Sequence, residues 1–205
     1  MKEATAYLPK DAIANHRDFD VYYADGTIFL SFQGAWQHEK DEVAVFGRMG
    51  GEMGRIKPDH KALVYYLRLE RWEYALHTLH LFKCYYVNGM KWKVEGSLAN
   101  TPFFFVNEQT GSKEGRASDA RLEGRGACWE IATKDPATLR IAVTACVAMG
   151  IKEEYRGLSE GLRAERAHGL HRLRDWIFSE KGIRYEDLPD FEALQADALG
   201  SSKRP

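Results

Sequence analysis

An apolar segment near the end of the chain, residues 137–150 (ATLRIAVTACVAMG), sets the strongest limit on the fold. Asp135-Pro136 precedes it and predicts a helix start, because aspartate caps free amide groups and proline suits the first turn. Gly150 predicts the helix end. The apolar side chains cover most directions of a helical wheel: Leu139, Ile141, Val143, Cys146, Val147 and Met149. A helix that is hydrophobic all round must be surrounded by protein, and a curled sheet would supply that surrounding.

Most of the chain before this helix has the pattern of β-strands. Apolar residues alternate on both sides of turn signals, which predicts strand pairs over residues 19–33, 43–57 and 83–95, around Asp25-Gly26, Gly50-Gly51 and Asn88-Gly89. Single strands are predicted over 62–69, 101–107 and 127–132. The sequence therefore predicts a mostly β protein.

Two segments before the helix are harder to assign. Residues 70–83 fit a helical stripe and an alternating strand almost equally, and the Tyr-, Phe- and Val-rich surroundings favour the strand. Residues 109–126 contain four glycines and many polar residues, which favours a long loop or weak strands on a mobile rim.

Composition limits the class of protein. The chain has 205 residues, of which 44% are apolar, enough for a core. Its 29 basic and 30 acidic residues give a formal net charge of −1, whereas nucleic-acid binders usually carry a basic excess. We therefore expect no nucleic-acid partner.

The sequence also predicts where the protein works. The first residues lack the apolar core of a signal peptide. The longest apolar run, residues 139–151, would span roughly 20 Å as a helix, short of the ~30 Å hydrocarbon core of a membrane. Three cysteines without a CxxC pair are typical of free thiols. We expect a soluble, cytoplasmic protein without a transmembrane segment, able to attach to a membrane surface.

The order of these elements resembles a known superfamily. The chain has a strand pair in DFDVYYADGTIFLSFQG, a glycine-rich strand tail in EVAVFGRMGGEMGRI, and a tryptophan strand followed by an apolar helix in WEIATKDPATLRIAVTACVAMGI. This pattern resembles the tubby C-terminal-like superfamily, especially its LURP-one-related and phospholipid scramblase-like branches.

The resemblance implies a closed antiparallel β-barrel around a central hydrophobic C-terminal helix, over residues 15–151. Residues 152–205 are not part of the resemblance; apolar side chains at helical spacing over 152–178 predict a helical tail there, frayed at its end. Tubby binds phosphoinositides through basic side chains, and scramblase-like members are linked to lipid movement and calcium. Neither ligand site matches this sequence residue by residue.

Candidate ligand-binding residues are basic side chains on predicted strands and turns that would bind lipid phosphate if they clustered: Arg55, Lys57, Lys61, Lys91 and Lys93. Ordinary outward-facing charge is the alternative interpretation. His77, His80 and Cys84 would lie together on a helix and hold a metal. On the favoured strand, His77 faces away from the other two, so we expect no metal and no cofactor.

Three functions stay open. The leading hypothesis is a non-enzymatic domain that binds a protein partner or an anionic lipid headgroup. The second is an enzyme with a pocket at the glycine-rich barrel rim, using His38, His60, His77 or His80 as acid or base. It lacks a nucleophile motif such as GxSxG. The third is an oligomerisation or protein-interaction module that docks through the tail helix.

Overall fold

The structure of this protein is a computed structural model that describes residues 3–38, 40–59, 64–79 and 84–154, with the side chains of 78, 79 and 84 excepted. The described residues form twelve β-strands, followed by one helix, α1, over residues 136–154. The strands are β1 Ala4–Pro9, β2 Phe19–Tyr22, β3 Ile28–Gly34, β4 Val43–Gly47, β5 Glu52–Pro58, β6 Val64–Leu69, β7 Trp72–Leu79, β8 Cys84–Asn88, β9 Trp92–Ser97, β10 Asn100–Asn107, β11 Lys113–Leu122 and β12 Gly126–Thr133.

The strands form one closed antiparallel barrel. Each strand pairs with its neighbours in sequence, and β1 closes the ring by pairing with both β12 and β2. Because the strands alternate in direction, the turns 23–27, 48–51, 70–71, 89–91 and 108–112 all lie at one end of the barrel, which we call the turn end. Helix α1 begins at this end and runs toward the other.

The helix fills the barrel. Every residue from 141 to 152 is buried, and all twelve strands contribute to the hydrophobic core that contains the α1 side chains. Along β6, buried Tyr65, Leu67 and Leu69 alternate with exposed Tyr66 and Arg68, which is the pattern of a strand with one face on a core. The prediction of a closed antiparallel barrel around a central hydrophobic helix is confirmed.

The helix starts where the sequence predicts but ends later. Asp135 Oδ1 accepts hydrogen bonds from the backbone N–H groups of Ala137 and Thr138, both at 2.9 Å, so Asp135 is the N-cap. The predicted end at Gly150 is wrong, because α1 continues through it to residue 154. A Cβ at position 150 would overlap Cδ1 of Ile13, so close packing, not a helix end, explains this glycine.

The two segments that the sequence left hard to assign both contain strands. The favoured strand within residues 70–83 is present as β7. Of the two alternatives for residues 109–126, the loop is wrong and a strand is present, because β11 covers Lys113–Leu122 and eight of its residues pair with β12. The expected domain start at residue 15 leaves out β1, and the expected boundary at 151 falls inside α1. The predicted tail lies outside the described residues beyond position 154. No helix within the described residues is long and apolar enough to cross a membrane.

Candidate functional site

The predicted basic residues on β5 are held by carboxylates of the same barrel wall. Arg55 Nε lies 2.6 Å from Glu52 Oε1, and Lys57 Nζ lies 2.9 Å from Glu42 Oε1. Arg55 also reaches Glu42 at 3.6 Å. The hydrogen bond from Lys57 lowers the pKa of Glu42, and that from Arg55 lowers the pKa of Glu52. Two positive and two negative side chains therefore neutralise one another.

The predicted basic residues on and beside β9 lie on another part of the barrel. Lys91 Nζ donates to Gln109 Oε1 at 3.0 Å, and Lys93 Nζ lies 3.5 Å from Glu95 Oε1. Four strand spacings separate β9 from β5, which is about 19 Å along the wall. Lys61 lies outside the described residues. The structure therefore does not gather the described members of the predicted set into one patch.

The histidine candidates give no described site. His77 is half-buried on β7, beside Val64 of β6 and Tyr86 of β8. His38 lies on an exposed loop with its Nδ1 3.9 Å from Asp41. His80, His60 and the Cys84 side chain lie outside the described part of the structure. Among the described residues, no three His, Cys, Asp or Glu side chains group as metal ligands do.

The described thiols are unsuited to nucleophilic chemistry. Cys128 and Cys146 are free and buried. Burial raises the pKa of both thiols, so both stay protonated near neutral pH. Cys146 lies in the middle of α1, and its side chain is completely buried in the core.

Large hydrophobic side chains are exposed at the turn end, in a place that the sequence did not single out. Four such side chains are exposed among the described residues, and three of them lie here: Met49 at 94%, Trp72 at 69% and Ile28 at 37%. They belong to three neighbouring turns, and we call residues 23–28, 48–51 and 70–72 the tip surface. The fourth, Tyr66, lies on the outer wall of β6.

Backbone hydrogen bonds fix the turns of the tip surface. In the β4–β5 turn, Gly47 N–H donates to Gly51 O at 2.9 Å and Gly50 N–H donates to Gly47 O at 2.9 Å, with Gly50 at φ +76°. The two-residue β6–β7 turn holds Glu70 at φ +55°, and Glu70 N–H donates to Met53 O at 2.6 Å. This last bond ties the β6–β7 turn to β5, the strand that follows the β4–β5 turn, so the turns that carry Met49 and Trp72 are neighbours.

The acidic side chains of the tip surface are bound within the chain, whereas two of its arginines have no carboxylate partner among the described residues. Glu70 forms an ion pair with Arg140 of α1. Asp25 accepts the Thr27 hydroxyl at 2.6 Å, and this bond chiefly lowers its pKa, with a smaller effect from the positive charge of Arg48. Arg48 and Arg71 are exposed and make no ion pair with any described residue. Counting Arg140, the surface carries one more positive charge than negative.

A groove of about 250 Å³ lies at the opposite end of the barrel. Its floor is apolar, and its edge carries Lys10, Glu153 and Glu154. Lys10 is bound to Asp119 at 2.7 Å and lies over the Trp129 ring, while Glu153 accepts the Tyr85 hydroxyl at 3.1 Å. Glu154 Oε1 lies 3.7 Å from His16 Nε2, so within the described residues the charges at this groove are engaged with other side chains and do not form a free acid–base pair.

Comparison with known proteins identifies no activity. No protein-family model and no curated protein matches the sequence. A protein from Arabidopsis thaliana with a solved X-ray structure is similar over 71% of this chain and 88% of its own length, with 9% sequence identity and a TM-score of 0.46.

Sequence reasoning missed the tip surface because it selected charge and ignored exposed apolar residues. The positions of two of these residues in the sequence could have identified the surface. Met49 stands directly before Gly50-Gly51 in a predicted turn, and Trp72 follows Glu70-Arg71 at the junction of two predicted strands. Large apolar residues at neighbouring turn tips form a candidate contact surface when the fold leaves them exposed together.

Proposed function

We propose that this protein is a non-enzymatic binding domain that attaches to anionic lipid headgroups at a membrane surface through its tip surface. The observation that carries the proposal is the exposed pair Met49 and Trp72 beside Arg48 and Arg71, which form no ion pair within the part of the chain that the structure describes. Tryptophan favours the membrane–water interface, and each basic residue near an anionic surface adds about 1 kcal/mol of attraction.

The filled barrel interior supports binding on the outside. Residues 141–152 of α1 are buried among side chains from all twelve strands, so the helix occupies the space in which other barrels hold a ligand. The resemblance to the tubby C-terminal-like superfamily agrees with a lipid ligand. In this chain the proposed contact uses residues other than the basic set predicted on the strands.

Vesicle co-sedimentation tests the proposal. We expect the protein to bind vesicles that contain phosphatidylserine or phosphoinositides, to bind neutral phosphatidylcholine vesicles more weakly, and to be released by salt, because salt screens exposed charges. The R48Q/R71Q variant should lose roughly 30-fold in affinity, from about 1 kcal/mol for each charge.

A matched control removes the same charge elsewhere. The R55Q/K57Q variant also loses two positive charges, but on the barrel wall, where both are neutralised by Glu42 and Glu52. Its vesicle affinity should stay close to that of the unmodified protein. Absence of salt-sensitive binding to anionic vesicles, or equal losses in both variants, would overturn the proposal.

A further inference from the structure

The exposed apolar side chains of the tip surface lie where a flat bilayer would meet them together. Ile28, Met49 and Trp72 stand on three consecutive hairpins of the barrel, β2–β3, β4–β5 and β6–β7. Pairing of Leu30 with Gly47 and of Gly54 with Leu69 makes these hairpins direct neighbours. Their turns point the same way, so the three side chains occupy one side of the turn end.

The other described turns of this end expose no large apolar side chain: Met90 in the turn 89–91 is half-buried and packs against the core. Residues 108–112 read EQTGS, and Asn107 Oδ1 accepts the backbone N–H groups of Gln109 and Thr110 at 2.9 and 3.1 Å. Lys134 beside the helix start is bound to Glu114 at 2.8 Å. Among the described residues of this end, the exposed large apolar side chains therefore occupy one sector of the rim, which gives the barrel a preferred side for a membrane.

We propose that Met49 and Trp72, with Ile28 beside them, insert shallowly into the bilayer interface while Arg48 and Arg71 stay at the depth of the lipid phosphates. This inference rests on the proposed function and deepens it, because the protein would recognise a membrane by its negative charge and its loose lipid packing. A guanidinium next to an inserted side chain is placed to donate two hydrogen bonds to a phosphate. No headgroup-specific pocket is needed.

The geometry predicts an orientation and a lipid preference. The turn end faces the membrane, and α1, about 28 Å long at 1.5 Å per residue, carries the chain away from it toward residue 154. Shallow insertion fills gaps between headgroups, and such gaps are larger in curved membranes. Small vesicles should therefore bind more protein than large vesicles of the same composition.

Quenching by brominated lipid tests the insertion. Phosphatidylcholine brominated near the headgroup end of its acyl chains, mixed with phosphatidylserine, quenches only tryptophan that enters the bilayer. We expect binding to quench part of the fluorescence, and we expect W72F to abolish that quenching. W129F removes a half-buried tryptophan whose Nε1 donates to Leu98 O at the far end of the barrel, so its quenching should remain.

Partitioning of Met49 variants gives a second measurement. Met49→Ser should lower the vesicle partition coefficient about tenfold, the order expected for withdrawing one large apolar side chain from a membrane, whereas Met49→Leu should preserve it. Tyr66→Ser is the matched control, since Tyr66 is exposed on the wall of β6 and should not touch lipid. Position 49 is 94% exposed, so these variants should fold normally.

The possible outcomes separate the two proposals. Salt-sensitive binding without quenching, and with no effect of Met49→Ser, would overturn the insertion and leave attachment by charge alone. No binding to anionic vesicles would overturn both. Quenching that is lost in W72F and kept in W129F, together with tighter binding to small vesicles, supports shallow insertion.

Discussion

Asp135 stabilises the N-terminus of the buried helix α1 with both of its carboxylate oxygens. Oδ1 accepts two backbone amides, and Oδ2 accepts the Thr138 hydroxyl at 2.8 Å. These bonds favour the ionised form, so the pKa of Asp135 lies below its usual value in the folded protein. Its contribution to stability is therefore complete above the unfolded pKa of about 3.9 and is lost as pH falls through the lower folded pKa.

We expect Asp135→Ala to lower the free energy of unfolding by about 1 kcal/mol at neutral pH, the usual cost of losing an N-cap. Asp135→Asn keeps a capping oxygen but cannot titrate. Denaturant titrations below pH 4 should show a steeper loss of stability for the unmodified protein than for Asp135→Asn. Parallel pH profiles would contradict this role of the carboxylate.

The effect of a substitution at Gly150 on stability depends on Ile13. Alanine normally stabilises a helix interior by about 1 kcal/mol relative to glycine. Here the added methyl would overlap Cδ1 of Ile13, which is buried at 5% exposure, so we expect Gly150→Ala to destabilise the protein. Ile13→Val removes the obstructing atom, so Gly150→Ala should become favourable in that background. A double-mutant cycle measured by thermal unfolding checks this, and identical effects in both backgrounds would contradict it.

At the scale of elements, β11 shows that a segment with several glycines can be a paired strand rather than a loop. A Cβ at Gly115 would meet Thr133 Cγ2 at 3.0 Å and Ala132 O at 3.1 Å, so this glycine permits close strand packing. Eight residues of β11 pair with β12. We expect the amides of 115–122 to exchange hydrogen slowly, in contrast to the turn 108–112, when hydrogen exchange is followed by mass spectrometry. Equal, rapid exchange in both segments would favour the loop that the sequence suggested.

The sequence predicts features that depend on burial, but it does not predict features that depend on which residues the closed sheet brings together. Period-two alternation and the all-round apolar helix predicted the barrel and its filling, because both patterns report burial directly. The role of Gly115 depends on Thr133 and Phe105, which only the closed sheet brings together. The pairing of Lys57 with Glu42 likewise depends on register between β4 and β5, so a list of basic residues could not reveal which charges are neutralised.

At the scale of the whole molecule, closure depends on β1. This strand pairs with β12 at six positions, from Ala4 with Thr133 to Pro9 with Cys128, but with β2 only at Tyr7 with Tyr22. Its Ala6 and Leu8 side chains are completely buried in the core. Without β1, the barrel would expose two strand edges and the part of α1 that these side chains cover, and exposed edges invite aggregation.

A chain that begins at residue 15, the domain start expected from the resemblance, should therefore fail to form a cooperative fold. We expect it to bind a hydrophobic dye and to unfold without a sharp transition, while a chain that begins at residue 3 behaves as the full protein. A peptide of residues 3–14 added to the shortened chain should restore cooperative unfolding, because it supplies the missing strand to edges that are already complementary. The same peptide with Ala6 and Leu8 both changed to Asp should not, since it would bury charge in the core. Cooperative unfolding of the shortened chain alone would show that the eleven remaining strands hold α1 without closure.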